Sequence, residues 1–143
     1  MGSRIVMIGC GNMGGALLAR WADLSDVEIA VVDPAGPAVP EGVVCVGSAD
    51  ALEAQSFDLL VVAVKPQLIG KAIPPAAALL KDDGFALSIA AGASAASISD
   101  AVGGRAAVRL MPNMPARIGK GVSGLYAQDG VTNAQRDLAD RMG

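Results

Sequence analysis

The sequence contains no histidine and few aromatic residues: one tryptophan, one tyrosine and two phenylalanines among 143 residues. Without imidazole, the usual zinc sites and the most common general base are excluded. Because 52% of the residues are hydrophobic and only 3% aromatic, the core must consist of Ala, Val, Leu, Ile and Met. This composition is typical of a parallel sheet buried under helices.

Basic residues, cysteines and long apolar runs are also scarce. Eleven Lys and Arg against fourteen Asp and Glu give a net charge of -3, without the basic stripe typical of nucleic-acid binding. The longest apolar runs, such as 59–64, are too short to cross a bilayer. Cys10 and Cys45 lie in apolar stretches and are expected to be reduced thiols. We expect a soluble cytoplasmic protein with neither nucleic-acid nor membrane partners.

Short apolar segments alternate with segments of helical spacing. The apolar segments, which predict buried strands, are 4–8, 28–32, 42–46, 58–64, 85–89, 106–111 and 121–126. The segments that predict helices are 13–22, 48–55, 66–80, 94–102 and 132–142. The alternation predicts one α/β domain with a doubly wound, mostly parallel sheet. Ser48 is expected to cap a helix, Pro74 and Pro75 to break or kink one, and 33–42 to form a loop.

A glycine motif follows the first predicted strand. In GCGNMG, Gly9, Gly11 and Gly14 match G-x-G-x-x-G. At a strand-to-helix junction the first glycine permits a tight turn, the second lets backbone N–H groups approach a pyrophosphate, and the third allows close helix–strand packing. The helix N-terminus adds a positive dipole. Ordinary turn glycines would give the same pattern, so the motif alone is weak evidence.

The context of Asp33 strengthens this interpretation. Asp33 ends the second predicted strand, about twenty residues after the last glycine, where a ribose-binding acid is expected. This favours a dinucleotide site over a methyltransferase-type adenosyl site, while a simple Asp-Pro turn is the alternative for Asp33. A carboxylate there can accept both ribose hydroxyls of NAD and opposes the 2′-phosphate of NADP. Residues 34–38 offer no Lys or Arg, so NAD(H) is slightly favoured over NADP(H).

Four motifs, each at or after a predicted strand, carry a family resemblance: IGCGNMGGAL (8–17), AVKPQ (63–67), SIAAG (88–92) and RLMPNMPA (109–116). In order and spacing, along essentially the whole chain, the sequence resembles the pyrroline-5-carboxylate reductases. The resemblance implies a Rossmann-type dinucleotide-binding domain and hydride transfer from NAD(P)H to 1-pyrroline-5-carboxylate, giving L-proline. A hydroxyacid dehydrogenase of the same superfamily is not expected to carry the last three motifs together.

The resemblance also assigns cofactor contacts. It implies that residues 9–13 hold the pyrophosphate, that Asp33 meets the adenosine ribose and that Ser48 lies near the adenosine end. Asn113 shapes the nicotinamide end, and no residue has a certain catalytic role. A solvated Lys65 and a purely structural proline loop around Asn113 are the alternatives. The full set of implied cofactor-binding residues is Gly9, Cys10, Gly11, Asn12, Met13, Gly14, Asp33, Ser48, Ala63, Val64, Lys65, Pro66, Ala90, Ala91, Gly92 and Asn113.

The sequence departs from the family at two positions and in length. Met114 stands where the family more often has threonine, and Asp33 differs from members that favour NADPH. Family members also continue into a helical domain that contributes substrate-binding segments and a dimer interface, which has no counterpart here. We therefore expect residues 1–143 to be the cofactor-binding half of a reductase, truncated before its last strand and inactive alone. The full-length protein is expected to be a homodimer or higher homo-oligomer. The alternative is a stand-alone NAD(P)-binding module without catalytic activity.

Overall fold

The computed structural model describes residues 3–9, 18, 27–34, 36, 39–40, 42–89, 95–112 and 122–127. The strands in these ranges are β1 (Ser3–Ile8), β2 (Val27–Val32), β3 (Val44–Val46), β4 (Phe57–Val62), β5 (Leu80–Ser88), β6 (Ala107–Pro112) and β7 (Val122–Ala127). The helices described between them are α1 (Ile69–Ala77), α2 (Ala95–Ala101) and short 3-10 helices at Ala49–Ala51 and Pro66–Leu68. Each of the seven predicted apolar segments therefore contains a strand.

The strands form one sheet in the order β3-β2-β1-β4-β5-β6-β7. Neighbouring strands from β3 to β6 are parallel, and β7 joins β6 in the antiparallel direction. The chain proceeds from β1 outward to β3 and then returns to place β4 on the other side of β1. This reversal defines a doubly wound sheet. The predicted fold class, α/β with a mostly parallel sheet, is confirmed.

Apolar side chains cover both faces of the sheet because successive residues of a strand point to opposite faces. In β1, Val6 and Ile8 face the layer that includes α1 and α2, and Ile5 and Met7 face the layer that includes Leu18. All four of these β1 side chains are buried. The sheet is therefore the centre of the core, and its polar chemistry is confined to the ends of the strands.

Two prolines lie inside α1, which continues through Pro74 and Pro75 to Ala77. Each proline lacks the N–H that would bond to a carbonyl four residues earlier, here those of Gly70 and Lys71. Both of these residues and both prolines are exposed, so water can take the place of the lost donors. The opposite face of α1 packs into the core. The helix therefore does not break at the prolines, and the alternative expectation, a kink there, stays a prediction.

The predicted helix 48–55 is also wrong, because only the single 3-10 turn Ala49–Ala51 forms. Ser48 occupies the N-cap position without a side-chain capping bond. Its hydroxyl donates to the carboxylate of Asp50 instead. Leu52, directly after the turn, is extended. A segment of this length cannot sustain a helix by itself. The described residues between 33 and 42 contain no helix, in agreement with the expected loop.

The start of β5 differs from the prediction as well. Phe57 of β4 pairs with Leu80, whereas Leu59 pairs with Phe85, so β5 contains extra residues between its two paired positions. This insertion is the polar segment 81–84, and such an insertion is a β-bulge. The apolar pattern shows only the part of β5 that follows the bulge.

Candidate functional site

The carboxyl ends of four parallel strands meet at one edge of the sheet. The register pairs Ile8 of β1 with Val32 of β2 and with Val62 of β4, and pairs Val32 with Val46 of β3. The next residue along each strand therefore belongs to one row across the sheet. We call it the edge row, and across the sheet it consists of Gly47, Asp33, Gly9 and Ala63.

Backbone hydrogen bonds connect the edge row to the neighbouring strands. The donors and acceptors are Asp33 N to Val46 O at 2.9 Å, Gly9 N to Val32 O at 2.8 Å, and Ala63 N to Ile8 O at 3.0 Å. Since the strand order reverses at β1, this row lies at the topological switch point, where doubly wound sheets bind their ligands.

A cavity of about 1040 Å³ opens on the edge row. Its size is that of a large ligand pocket. Apolar residues such as Ile8, Val32, Leu52 and Leu68 provide much of its lining. Six of the predicted cofactor-binding residues line the cavity: Gly9, Asp33, Ser48, Ala63, Val64 and Lys65. The fold thus brings together residues that follow four separate strands.

Gly9 allows the closest approach between two strand ends in this cavity. Its φ angle is +80°, a conformation that disfavours any residue with a Cβ atom. A Cβ atom at this position would lie 2.7 Å from Val64 Cγ1 and 3.2 Å from Val64 N. Glycine is therefore required both by the turn and by the neighbouring strand end. The N–H of Gly9 is already bonded within the sheet.

Charged side chains enter the cavity from two sides. Asp33 follows β2 and Asp50 follows β3, whereas Lys65 follows β4 and Lys71 lies on α1. Both lysines are exposed, and neither ammonium group has a hydrogen bond or ion pair with another residue in the described ranges. The cavity is therefore lined by two carboxylates, which follow β2 and β3, and by two ammonium groups, one after β4 and one on α1.

Several predicted site residues lie outside the described ranges, and their placement stays a prediction: Cys10, Gly11, Asn12, Met13, Gly14, Ala90, Ala91, Gly92 and Asn113. Pro66 begins the 3-10 helix directly after Lys65. Ile89, which precedes Ala90, donates its N–H to Val62 O at 3.1 Å and so extends β5 at the same edge.

Two charged residues of the cavity were not predicted to lie there. Asp50 and Lys71 belong to no motif, and their presence depends on how the 3-10 turn and α1 are placed. The one sequence feature that could have indicated Asp50 as a site residue is its position two residues after Ser48, which was itself predicted to lie at the site. No comparable signal existed for Lys71.

The described ranges contain no cluster of three or more His, Cys, Asp or Glu side chains able to hold a metal ion. None of the helices in the same ranges has the length and apolar character needed for a membrane span. Cys45 on β3 is a free, half-buried thiol, as expected.

A family model described as NADP oxidoreductase, coenzyme F420-dependent, matches residues 4–92 of this chain. The chain belongs to this NADP oxidoreductase family. The matched segment includes every residue of the edge row and the cavity described above.

Within the NADP oxidoreductase family, the similarity is to pyrroline-5-carboxylate reductases. The enzyme of this name from Pseudomonas aeruginosa is 34% identical over 97% of this chain and 54% of its own length. The one from Escherichia coli is 33% identical over 98% of this chain and 54% of its own length. The chain spans about half the length of the curated relatives that it matches.

Solved structures agree with this assignment. A pyrroline-5-carboxylate reductase from Coxiella burnetii aligns with a TM-score of 0.82 and 26% identity, over 99% of this chain and 56% of its own. The Plasmodium falciparum enzyme, solved with NADP bound, aligns with a TM-score of 0.79 over 99% of this chain and 55% of its own. At 21% identity the second comparison shows the fold alone. The family resemblance indicated by the sequence motifs is confirmed.

Proposed function

We propose that this chain is the cofactor-binding half of a pyrroline-5-carboxylate reductase. The whole enzyme would transfer hydride from NAD(P)H to 1-pyrroline-5-carboxylate and release L-proline. The observation that carries the proposal is the edge row, which places Gly9, Asp33 and Ala63 at one cavity. Relatives with this activity in their names match almost the whole chain. Residues 1–143 then form a single dinucleotide-binding domain.

The cavity has the features that a dinucleotide requires. The absent Cβ of Gly9 lets the end of β1 turn sharply and lie against Val64 at the switch point. Because the N–H of Gly9 is bonded to Val32 O, the donors for a pyrophosphate belong to the residues that follow it, as the glycine motif implies. Apolar walls suit an adenine ring, and Asp33 follows β2 where a ribose is expected.

In the proposed enzyme, this chain positions the cofactor. When bound, the reduced nicotinamide supplies the hydride. Ala90, Ala91 and Gly92 would leave room for a flat ring, and the amide of Asn113 would fix its orientation. A substrate that binds as a protonated iminium becomes a secondary amine on hydride transfer, so this chain needs no strong general acid. The absence of histidine is compatible with that chemistry.

Asp33 favours NADH over NADPH in this proposal, because its carboxylate can accept ribose hydroxyls and repels a 2′-phosphate. The cytoplasmic location and the homo-oligomeric assembly of the full-length protein stay predictions. We propose that the catalytic step also needs the half of the relatives that this chain does not span.

Titration of the 143-residue chain with NADH and with NADPH, followed by nicotinamide fluorescence, tests the cofactor site. We expect saturable binding with dissociation constants between about 1 μM and 1 mM, the usual range for enzyme substrates. Binding of neither cofactor would contradict the proposal.

An assay with 1-pyrroline-5-carboxylate and NADH tests the division of work. The 143 residues alone are expected to show no turnover. Measurable proline formation by this chain would show that the additional half is dispensable. Binding without turnover in the longest natural form of the protein would favour a stand-alone nucleotide-binding module.

A further inference from the structure

Asp50 is a cavity residue to which no motif assigns a role. It lies in the 3-10 turn Ala49–Ala51, four residues beyond Val46, the end of β3. The backbone bond from Asp33 N to Val46 O, 2.9 Å long, ties the end of β2 to the end of β3. Asp33 and Asp50 both line the cavity on this side.

Ser48 restrains the carboxylate of Asp50. The hydroxyl of Ser48 donates to Asp50 Oδ1, and both side chains are exposed at the cavity. The family resemblance implies that Ser48 lies near the adenosine end as a small polar residue. In the structure its hydroxyl bonds to a neighbouring acid. Ser48 thereby holds a second negative charge at the cavity that Asp33 also lines.

Two lysines also line the cavity. Lys65 follows β4, which is two strands away from β2, a separation of about 10 Å at the usual strand spacing of about 4.8 Å. Lys71 belongs to α1, which contacts the 3-10 turn Ala49–Ala51 as well as β1 and β4. A group bound beside the ends of β2 and β3 therefore lies next to the strand ends that Asp33 and Asp50 follow, whereas Lys65 follows a strand further away.

We propose that Asp50 is a second specificity-determining residue, which acts with Asp33 to select a ribose diol and to reject a 2′-phosphate. Ser48 is its positioning residue. A phosphate group carries close to two negative charges at neutral pH and is repelled by both acids, whereas a diol can donate hydrogen bonds to them. This inference rests on the proposed function, because it assumes that the adenosine ribose binds at this side.

The test measures dissociation constants of NADH and NADPH for the 143-residue chain and its variants. Asp50→Asn removes the charge and keeps the shape of the side chain. Glu53→Gln is the matched control, since it removes the same charge three residues further on, at an exposed position that does not line the cavity. Asp50→Asn is expected to tighten NADPH binding about tenfold at low ionic strength. Binding of NADH should change less than about threefold, since a hydroxyl can still bond to the amide.

Two further measurements sharpen the test. The gain in NADPH affinity should shrink at about 0.5 M salt, because salt screens charges at exposed sites. Ser48→Ala should shift the ratio of the two constants in the same direction by a smaller factor, and Ser48→Thr should restore it. A ratio that moves no further in Asp50→Asn than in Glu53→Gln would overturn the role of Asp50. An unchanged ratio in Ser48→Ala would overturn the role of Ser48. Failure of the unsubstituted chain to bind either cofactor would overturn the proposed function instead.

Discussion

The two edges of the sheet use charge in different ways. At the amino edge, Asp58 accepts a hydrogen bond from Arg4 N at 2.9 Å and pairs with Lys81 Nζ at 3.0 Å. The guanidinium of Arg4 donates to Ser56 O at 3.3 Å and lies 4.8 Å from the centre of the Phe57 ring. This edge joins β1, β4 and β5 through partly buried polar contacts. Its charges are paired within the protein, Lys81 with Asp58 and Arg4 with Glu28, although Arg4 Nε has no hydrogen bond in the described ranges.

At the carboxyl edge the same strands end at a cavity. Lys65 and Lys71 have no polar side-chain partner in the described ranges, and Asp33 and Asp50 line the same cavity. The two lysine charges are therefore available to a ligand. We therefore expect substitutions at the amino edge to alter the stability of the fold and substitutions at the carboxyl edge to alter cofactor binding. Gly9 is the expected exception, because it belongs to both the sheet and the site.

Gly9→Ala should have the largest effect. The positive φ angle costs about 1–2 kcal/mol for a residue with a Cβ atom, and the contact with Val64 adds about 1–3 kcal/mol of overpacking. Denaturant unfolding should show a loss of about 2–5 kcal/mol, together with loss of NADH binding. Gly104→Ala is the control, since Gly104 has a φ of +87° and no atom near the added Cβ. Equal losses of stability in the two variants would show that the close approach to Val64 is unimportant.

Asp58→Ala should affect stability alone. It removes the acceptor of the Arg4 N–H and the partner of Lys81, which should lower the free energy of unfolding by about 1–2 kcal/mol. Asp58→Asn, which retains an acceptor oxygen, should lose less. The dissociation constant of NADH should stay within about twofold in both variants. A large loss of cofactor affinity would show that the two edges are coupled.

Lys65→Gln should produce the opposite result. Loss of one positive charge at the cavity should raise the dissociation constant of NADH about fivefold to tenfold. Unfolding free energy should change by less than about 0.5 kcal/mol, because the side chain is exposed and has no polar partner among the described residues. The same substitution at Lys81 should leave binding unchanged and weaken the amino edge. Equal affinities in these two lysine variants would favour a merely solvated Lys65.

Glu28→Gln should have the smallest effect. Glu28 lies 3.3 Å from Arg4 Nε, but its side chain is 77% exposed. Exposed ion pairs contribute little because water and salt screen them, so the expected change in unfolding free energy is below about 0.5 kcal/mol. A loss above about 1 kcal/mol in thermal or denaturant unfolding would show that this pair is coupled to the partly buried contacts of Arg4 and Asp58.

The strands of this fold were predictable from continuous apolar runs, because a parallel sheet covered on both faces buries every side chain. The pattern failed where local structure departs from that rule. The polar bulge 81–84 interrupts the apolar run, so the pattern did not reveal the first part of β5. The exposed prolines are tolerated in α1 because water can replace the missing N–H donors. At 48–55, a short segment with helical spacing forms only one 3-10 turn.

The site was predictable where residues follow strands directly. Gly9, Asp33 and Ala63 occupy the edge row because parallel strands in register end together. Asp50 and Lys71 were missed because they reach the cavity through turns and helices, whose side-chain directions a spacing argument does not contain. The charges that Asp50 and Lys71 contribute to the cavity could therefore be located only from the tertiary structure.

The hydrogen bonding of Gly9 has a consequence for how such a protein can diverge. The floor of the cavity is continuous with the sheet ladder, so a change at the floor also disturbs folding. Ser48, Asp50 and Lys65 are exposed on the walls, where substitutions are tolerated. Cofactor preference can therefore drift during evolution, or be redesigned, without a compensating change in the core. Under the proposed function, the contribution of Asp50 to the choice between two dinucleotides belongs to the exposed wall of the cavity, whereas Gly9 and Asp33 belong to the floor and are inherited with the fold.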